Sequence, residues 1–452
     1  MAEDEDDEFG LPGGLVEEAA EAARASDFAR LHALLDPLHP ADLADLLEQM
    51  DAGSRRALLA LWGEGLDGDV LSELDEGLRE EVIEALAPAA LAEAVRELES
   101  DDVVDLVEDL DAAGQAAVLG ALAAPDRAAV ERALAYPENS AGRLMQVEVV
   151  RAPEHWTVGE AIDWLRAAPS LPDQFYHVIL VDPRMKPVGY VTLGRILSSD
   201  RLTRLKAVTE DSFHPFHVQD EEGEVAHAFN KYHLISAPVV DDDGRLAGVI
   251  TIDDAMVVLD EEHEEDILRL AGVGEGALSD SVRETVRARI PWLVVNLATA
   301  GLAAFVISFF EGTIEAVVAL AILMPIVASM GGNAGTQSLT VAVRALATRD
   351  LTSANAWRVV RREAAVGLLN GLLLSLLLGG VTALAFGPAI GGVIAAALVV
   401  NLLVASLAGT FVPLLLERLG VDPALASGTF VTTVTDVVGF FAFLGLATLV
   451  LL

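Results

Sequence analysis

Met324-Pro325-Ile326-Val327-Ala328-Ser329-Met330-Gly331-Gly332-Asn333-Ala334-Gly335-Thr336-Gln337-Ser338 is the stretch on which the reading of this chain turns. Apolar sequence leads into it from Ala316 and out through Val343. That is longer than the roughly 20 apolar residues needed to cross a bilayer. The middle nevertheless holds Pro325, three glycines, Asn333 and Gln337. In hydrocarbon every backbone N–H and C=O must be satisfied within the protein, so a Pro- and Gly-interrupted span is expected only where it is buried or lines a wet cavity. Carbonyls freed there, with amide oxygens beside them, are hard ligands for a hard cation. The plain alternative is a packing kink, since Gly and Pro are common in membrane helices.

Working outward, four further apolar segments are expected to span, giving five at about 291–310, 314–344, 360–386, 388–416 and 425–452. The connection from Arg344 to Arg362 carries five arginines, which by the positive-inside rule makes it cytoplasmic. The N-terminal half is then cytoplasmic and the C-terminus outside. Asn370 and Asn401 read as ordinary hydrogen bonds between helices. The fifth span holds one acid deep in apolar sequence, in Val431-Thr432-Thr433-Val434-Thr435-Asp436-Val437-Val438-Gly439. A mid-membrane charge costs roughly 2.5–3.5 kcal/mol on insertion scales. No mid-span Lys or Arg is available to pair it, which leaves an ion site or a protonated or water-bridged acid. The three threonines are expected to return their hydroxyls to backbone carbonyls.

The formal charge is −41, and it is unevenly spread. Eight acids and nine arginines follow residue 280, so the preceding residues carry a net −42. An acidic soluble half joined to a membrane half is implied. Nucleic acid is excluded as a partner and cations are favoured. There is no cysteine, so thiolate sites are absent, and no histidine follows His263. Met1–Glu8 is acidic, not a signal peptide. Residues 1–14 are expected to be a disordered acidic tail.

Residues 15–136 read as a superhelix of short helices, broken at His39-Pro40, Ala87-Pro88 and Glu99-Ser100-Asp101-Asp102. Asp101 and Asp105 share a helix face, where like charges cost a few tenths of a kcal/mol unless compensated. Residues 137–259 change to short strands and helices in two repeats. Val178–Thr192 and Ala237–Thr251 each run strand, turn, strand, Gly-x-x-Thr. Residues 260–290 open on Asp260-Glu261-Glu262-His263-Glu264-Glu265-Asp266 and are expected to form one helix through Arg289. A solvated helix start and a divalent-cation site both fit the six acids. Arg283, Arg287 and Arg289 precede the membrane domain, 291–452, at headgroup level.

Pro325, Gly331-Gly332-Asn333, Gly335, Gln337 and the following Arg344–Asp350 resemble the signature of the MgtE family of magnesium channels. The resemblance extends over essentially the whole chain. It implies a multidomain fold: an all-α N-terminal superhelix, an α/β tandem CBS pair, a connecting helix and a five-span membrane domain. It also implies a homodimer in the cell (inner) membrane that conducts Mg²⁺ and is closed by cytosolic Mg²⁺, with no enzymatic activity. The pore would lie between the second and fifth spans. Pore ligands would come from Asp436, Asn333, Gly332 and Thr432, with Pro325, Gly331, Gly335 and Gln337 as motif. The regulatory ligands carried over are Asp101, Asp105, Asp254, Glu262, Glu265 and Asp266. Two departures stand out. The fifth span opens on Gly428-Thr429-Phe430, without the polar amide implied there. ATP at the CBS pair would use Thr251 and Asp254 of the second repeat, but the first has Arg195 where the Asp belongs.

The chemistry suits Mg²⁺, which uses few carboxylates and keeps several waters. Iron, copper and zinc would favour His or Cys. The alternatives are a Co²⁺, Mn²⁺ or Ni²⁺ channel of the same architecture, or a non-conducting divalent or nucleotide sensor anchored in the membrane.

Overall fold

A computed structural model describes residues 10–108, 110–168, 171–172, 174–210, 213–271, 273, 282–352 and 354–452. The chain divides into two units, 1–262 and 263–452. The expected tail lies mostly outside the described residues.

In the first unit, short helices follow one another from Leu15–Ala25 to Ala124–Ala133. Local chemistry sets their length. The side chains of Asp27, Asp51, Asp67 and Asp111 accept hydrogen bonds from first-turn amides. Pro40 and Pro88 occupy first-turn positions, where a missing N–H costs nothing. Each helix buries one apolar face, and Leu31, Leu46, Leu71, Val82 and Leu106 have no exposed surface.

Two small sheets follow, with strands β1 (Arg151–Pro153), β2 (His177–Val181), β3 (Pro187–Thr192), β4 (Phe216–His217), β5 (Ser236–Val240) and β6 (Leu246–Thr251). Each sheet pairs its first strand parallel and its last antiparallel to the middle one, in the orders β1-β2-β3 and β4-β5-β6. The registers match, with Val181 opposite Pro187 and Val240 opposite Leu246 across corresponding bulges. The sequence repeat is thus a repeat of fold.

The helix after β6 spans Ile252–Leu270 and ends there, with Ala271 in a turn. The next begins at Val282. The single helix expected through Arg289 is therefore not formed. The sequence Ala271-Gly-Val-Gly-Glu-Gly supplies the reason, since glycines are poor helix formers. Most of that stretch lies outside the described residues.

The second unit contains five helices long and apolar enough to span: Thr285–Ser308, Ala319–Ala347, Ala356–Phe386, Pro388–Arg418 and Gly428–Leu451. The third and fourth pack along their length through small residues. Gly367, Gly371 and Gly379 approach Leu402, Val399 and Ala395 so closely that a Cβ would collide. The second and fifth spans lean on the fourth and on each other.

One expectation fails in the second span. Its helix is unbroken from Ala319 to Ala347, with Pro325 and all three glycines inside it. Pro325 lies only six residues into the helix and forfeits one hydrogen bond. Gly331 and Gly335 serve packing, and with the helix continuous through all three glycines no run of freed carbonyls exists.

Candidate metal site

The second, fourth and fifth spans meet along a seam of small residues. A Cβ on Gly335 would lie 2.7 Å from Val431, and one on Gly409 would lie 2.5 Å from the Gly335 carbonyl. Asn401, fully buried on the fourth span, sits between Gly331 and Gly439. Its amide donates to the Val327 carbonyl at 2.9 Å. This is the interhelical bond expected of it. Its Oδ1 has no partner among the described residues.

One helical step round from the seam, the chemistry changes. Ser329, Asn333, Thr336, Gln337 and Thr340 lie on one face of the second span, and all are exposed. Exposed Thr432 and half-exposed Asp436, one turn apart on the fifth span, flank the packed stripe of Val431, Thr435 and Gly439. No hydrogen bond or ion pair holds the Asp436 carboxylate among the described residues. The threonines behave as the sequence implied. Thr432, Thr433 and Thr435 donate to the carbonyls of Gly428, Thr429 and Thr432 at 2.9, 2.7 and 2.9 Å. Thr336 donates to the Gly332 carbonyl at 3.0 Å. Gly332 itself faces open space, whereas its motif neighbours Gly331 and Gly335 are buried. Pro325 is exposed.

The regulatory candidates fall into three groups. In the first unit, helix Ser100–Glu108 carries Asp101, buried to 7 % exposure. Burial first, then the charges of Asp254 and Asp102, push its carboxyl well above the usual range. Burial and the Asp254 and Glu99 charges raise Asp102 to about 7. Burial and Glu148 raise Glu99 to about 7. Asp254 is raised to about 6, mainly by burial, although it accepts from the Thr251 hydroxyl at 2.5 Å. Sequence reasoning missed Glu99, Asp102 and Glu148, because nothing local marks them among so many acids.

Asp105 stands apart from Asp101. It is exposed, and Arg79 pairs with it at 2.7 Å. That pair supplies the compensation which the repeat of charges required. A second group forms around Glu222, raised to about 7 by burial and by Glu261, Glu108 and Glu262. Glu262 lies against Gly223, where a Cβ would come within 2.5 Å of its carboxylate. In the second unit, Glu265 pairs with Arg269 at 2.7 Å, and Arg269 with Asp422 at 3.0 Å. Burial and the Asp422 charge raise Asp266, against the pull of Arg269. Among the described residues no three acids or histidines converge closely enough to ligate one ion directly. The mutual raising of these carboxyls still records repulsion that a hydrated cation, bound through its waters, would relieve.

A small cavity lies between the two repeats. Tyr176, His177, Ser236 and Thr251 line a cavity of about 20 Å³. That admits about one water-sized probe. His177 is hydrogen-bonded to Ser236 and packs edge-on against Tyr190 at 4.4 Å. In the first repeat Thr192 caps a helix by accepting from the Arg195 amide at 3.2 Å, and its hydroxyl faces the Glu210 carboxylate at 3.5 Å.

An acidic soluble part with paired α/β repeats, followed by five spans with a polar, acid-bearing face, defines a polytopic membrane protein built to handle cations. Family models for a divalent cation transporter domain (MgtE), an MgtE intracellular N domain and a CBS domain match residues 324–446, 38–139 and 215–261. The magnesium transporter MgtE of Thermus thermophilus is 38 % identical over 316 residues, 69 % of this chain and 70 % of that protein. Those of Enterococcus faecalis and Bacillus subtilis are 32 % and 31 % identical, each over 69 % of both chains. A crystal structure of the cytosolic domain of the Mg²⁺ channel MgtE in complex with ATP aligns with a TM-score of 0.50 at 30 % identity. It covers 54 % of this chain and 99 % of that one. The chain belongs to the MgtE family of magnesium transporters.

Proposed function

We propose that the protein is a magnesium channel whose conduction path runs along the polar faces of the second and fifth spans of two copies. The observation that carries this is the placement of Asp436. It is an intramembrane acid without a partner among the described residues, on a flank that the chain's own helices leave half-uncovered. An uncompensated carboxylate facing lipid is costly, whereas one facing water and a passing cation is not. A two-fold axis beside this flank would double the acid and place Asn333, Gln337 and Thr432 near it. Such a set of few carboxylates and neutral oxygens matches a hydrated Mg²⁺.

In this reading Asp101, Asp254 and their neighbours, the Glu222–Glu262 group and Asp266 act as the cytosolic sensor. Bound Mg²⁺ neutralises mutually repelling acids and favours a closed arrangement. The cytoplasmic orientation, with the C-terminus outside, follows from the arginines between Arg344 and Arg362. ATP, which is bound in the solved cytosolic domain of a relative, would meet Thr251 and Asp254 of the second repeat in this chain. Mg²⁺ flux into liposomes containing the full chain tests the proposal. Wild type should conduct, with smaller flux of Co²⁺, Mn²⁺ and Ni²⁺, and Asp436→Asn should not. Absence of flux in the wild type would favour a membrane-anchored sensor.

A further inference from the structure

The second and third spans scarcely touch, because both lean on the fourth. At their arginine-rich ends this leaves a cleft of about 310 Å³. Its walls include Val341 of the second span and Arg358, Arg362 and Glu363 of the third, with Thr410 of the fourth and Asp350 of the connecting turn. Arg358 and Arg362 are one helical turn apart, and neither guanidinium has an ion pair or hydrogen bond among the described residues. The two acids are held differently. Glu363 is buried to 8 % exposure and accepts from the Ser338 hydroxyl at 3.1 Å. Asp350 accepts from the Thr348 hydroxyl at 3.1 Å. Trp357, 66 % exposed beside the cleft, lies under the Arg361 guanidinium and marks the level of the membrane interface.

We infer that this cleft is a binding site for an aminophospholipid headgroup, with phosphate on Arg358 and Arg362 and the ammonium toward Asp350 and Glu363. The charges match. Basic pockets between membrane helices bind lipid phosphates, and two forked donors one turn apart suit a phosphodiester. A lining of two cations and two anions is complemented by a zwitterion bearing a primary ammonium, not by an anionic headgroup. The apolar wall at Val341, 55 % exposed, continues the cleft toward the acyl region. The inference is independent of the ion path.

Native mass spectrometry of the full-length protein, extracted from vesicles of equal phosphatidylethanolamine, phosphatidylglycerol and phosphatidylcholine, tests it. Phosphatidylethanolamine should be retained about tenfold over the other two. R358A/R362A should reduce that retention about tenfold, and R361A, outside the cleft, should leave it unchanged. Asp350→Asn with Glu363→Gln should abolish the preference over phosphatidylglycerol. Equal retention of all three lipids, or unchanged retention in R358A/R362A, overturns the assignment. A preference for phosphatidylglycerol in the wild type overturns the ammonium contact. Displacement of the lipid by excess inorganic phosphate makes the cleft a soluble-phosphate site and overturns the lipid assignment.

Discussion

Arg269, at the end of helix Ile252–Leu270, donates to Asp422 at 3.0 Å, and Asp422 is the N-cap of the helix that becomes the fifth span. One carboxylate thus serves two elements, since its other oxygen accepts from the Ala424 amide at 2.8 Å. Arg269 also holds Glu265. Any ion that competes for Glu265 or Asp266 therefore acts on the start of the proposed pore span.

Arg269→Ala should leave Mg²⁺ conduction intact and raise the internal Mg²⁺ needed for closure several-fold. A half-exposed pair of this kind is worth about 1 kcal/mol or less, so the fold should be unaffected. Patch recordings with stepped internal Mg²⁺ give the answer. An unchanged closing concentration would remove this link from gating.

Asp436→Ala and Asp436→Asn should both abolish flux while leaving a folded, membrane-inserted protein. The asparagine variant keeps shape and loses charge, so it separates the two. Wild-type flux in either variant would exclude Asp436 from the path.

The glycines should divide by position. Gly331→Val and Gly335→Val insert methyl groups where a Cβ already meets Asn401 at 2.3 Å and Val431 at 2.7 Å. Overpacking of this kind costs about 1–3 kcal/mol, read as lower yield and thermal midpoint in detergent. Gly332→Val meets nothing within the chain, so it should fold normally and lose flux if its face borders the path. Normal stability in all three would mean that the seam is loosely packed.

The acidic cluster near Asp101 should make compaction pH-dependent. Glu99 and Asp102 titrate near 7 in the folded chain, against ordinary values of 4.5 and 3.8. The folded state therefore holds more protons through this window, and stability falls as pH rises from about 4 to about 7. Without divalent ions, the full chain should resist proteolysis within residues 100–260 better at pH 5.5 than at pH 8. Mg²⁺ should restore resistance at pH 8 and add little at pH 5.5. Equal cleavage at both pH values without Mg²⁺ would mean that these acids do not hold the soluble half together.

Deleting residues 1–136 removes Asp101, Asp102 and Asp105 together, and should weaken Mg²⁺ closure more than any single substitution. A truncated channel that closes at the same internal Mg²⁺ as the full chain would show that the sensor lies elsewhere.

By itself the sequence determined the five spans, the paired α/β repeats and the isolation of Asp436. Hydropathy, strand-turn-strand repetition and the lack of a mid-span base are properties of short segments and need no partner to be read. Only the tertiary structure decided what the Gly-Gly-Asn stretch does. Gly331 and Gly335, which would weaken an isolated helix, are held in a helix here with Asn401 and Val431 packed where their side chains would have been. The acids were likewise illegible one by one. Asp101 and Asp105 lie four residues apart, yet one is buried against Asp254 and the other is paired with Arg79. A carboxylate's environment is set by residues distant in sequence, and burial and pairing exist only once the chain has folded.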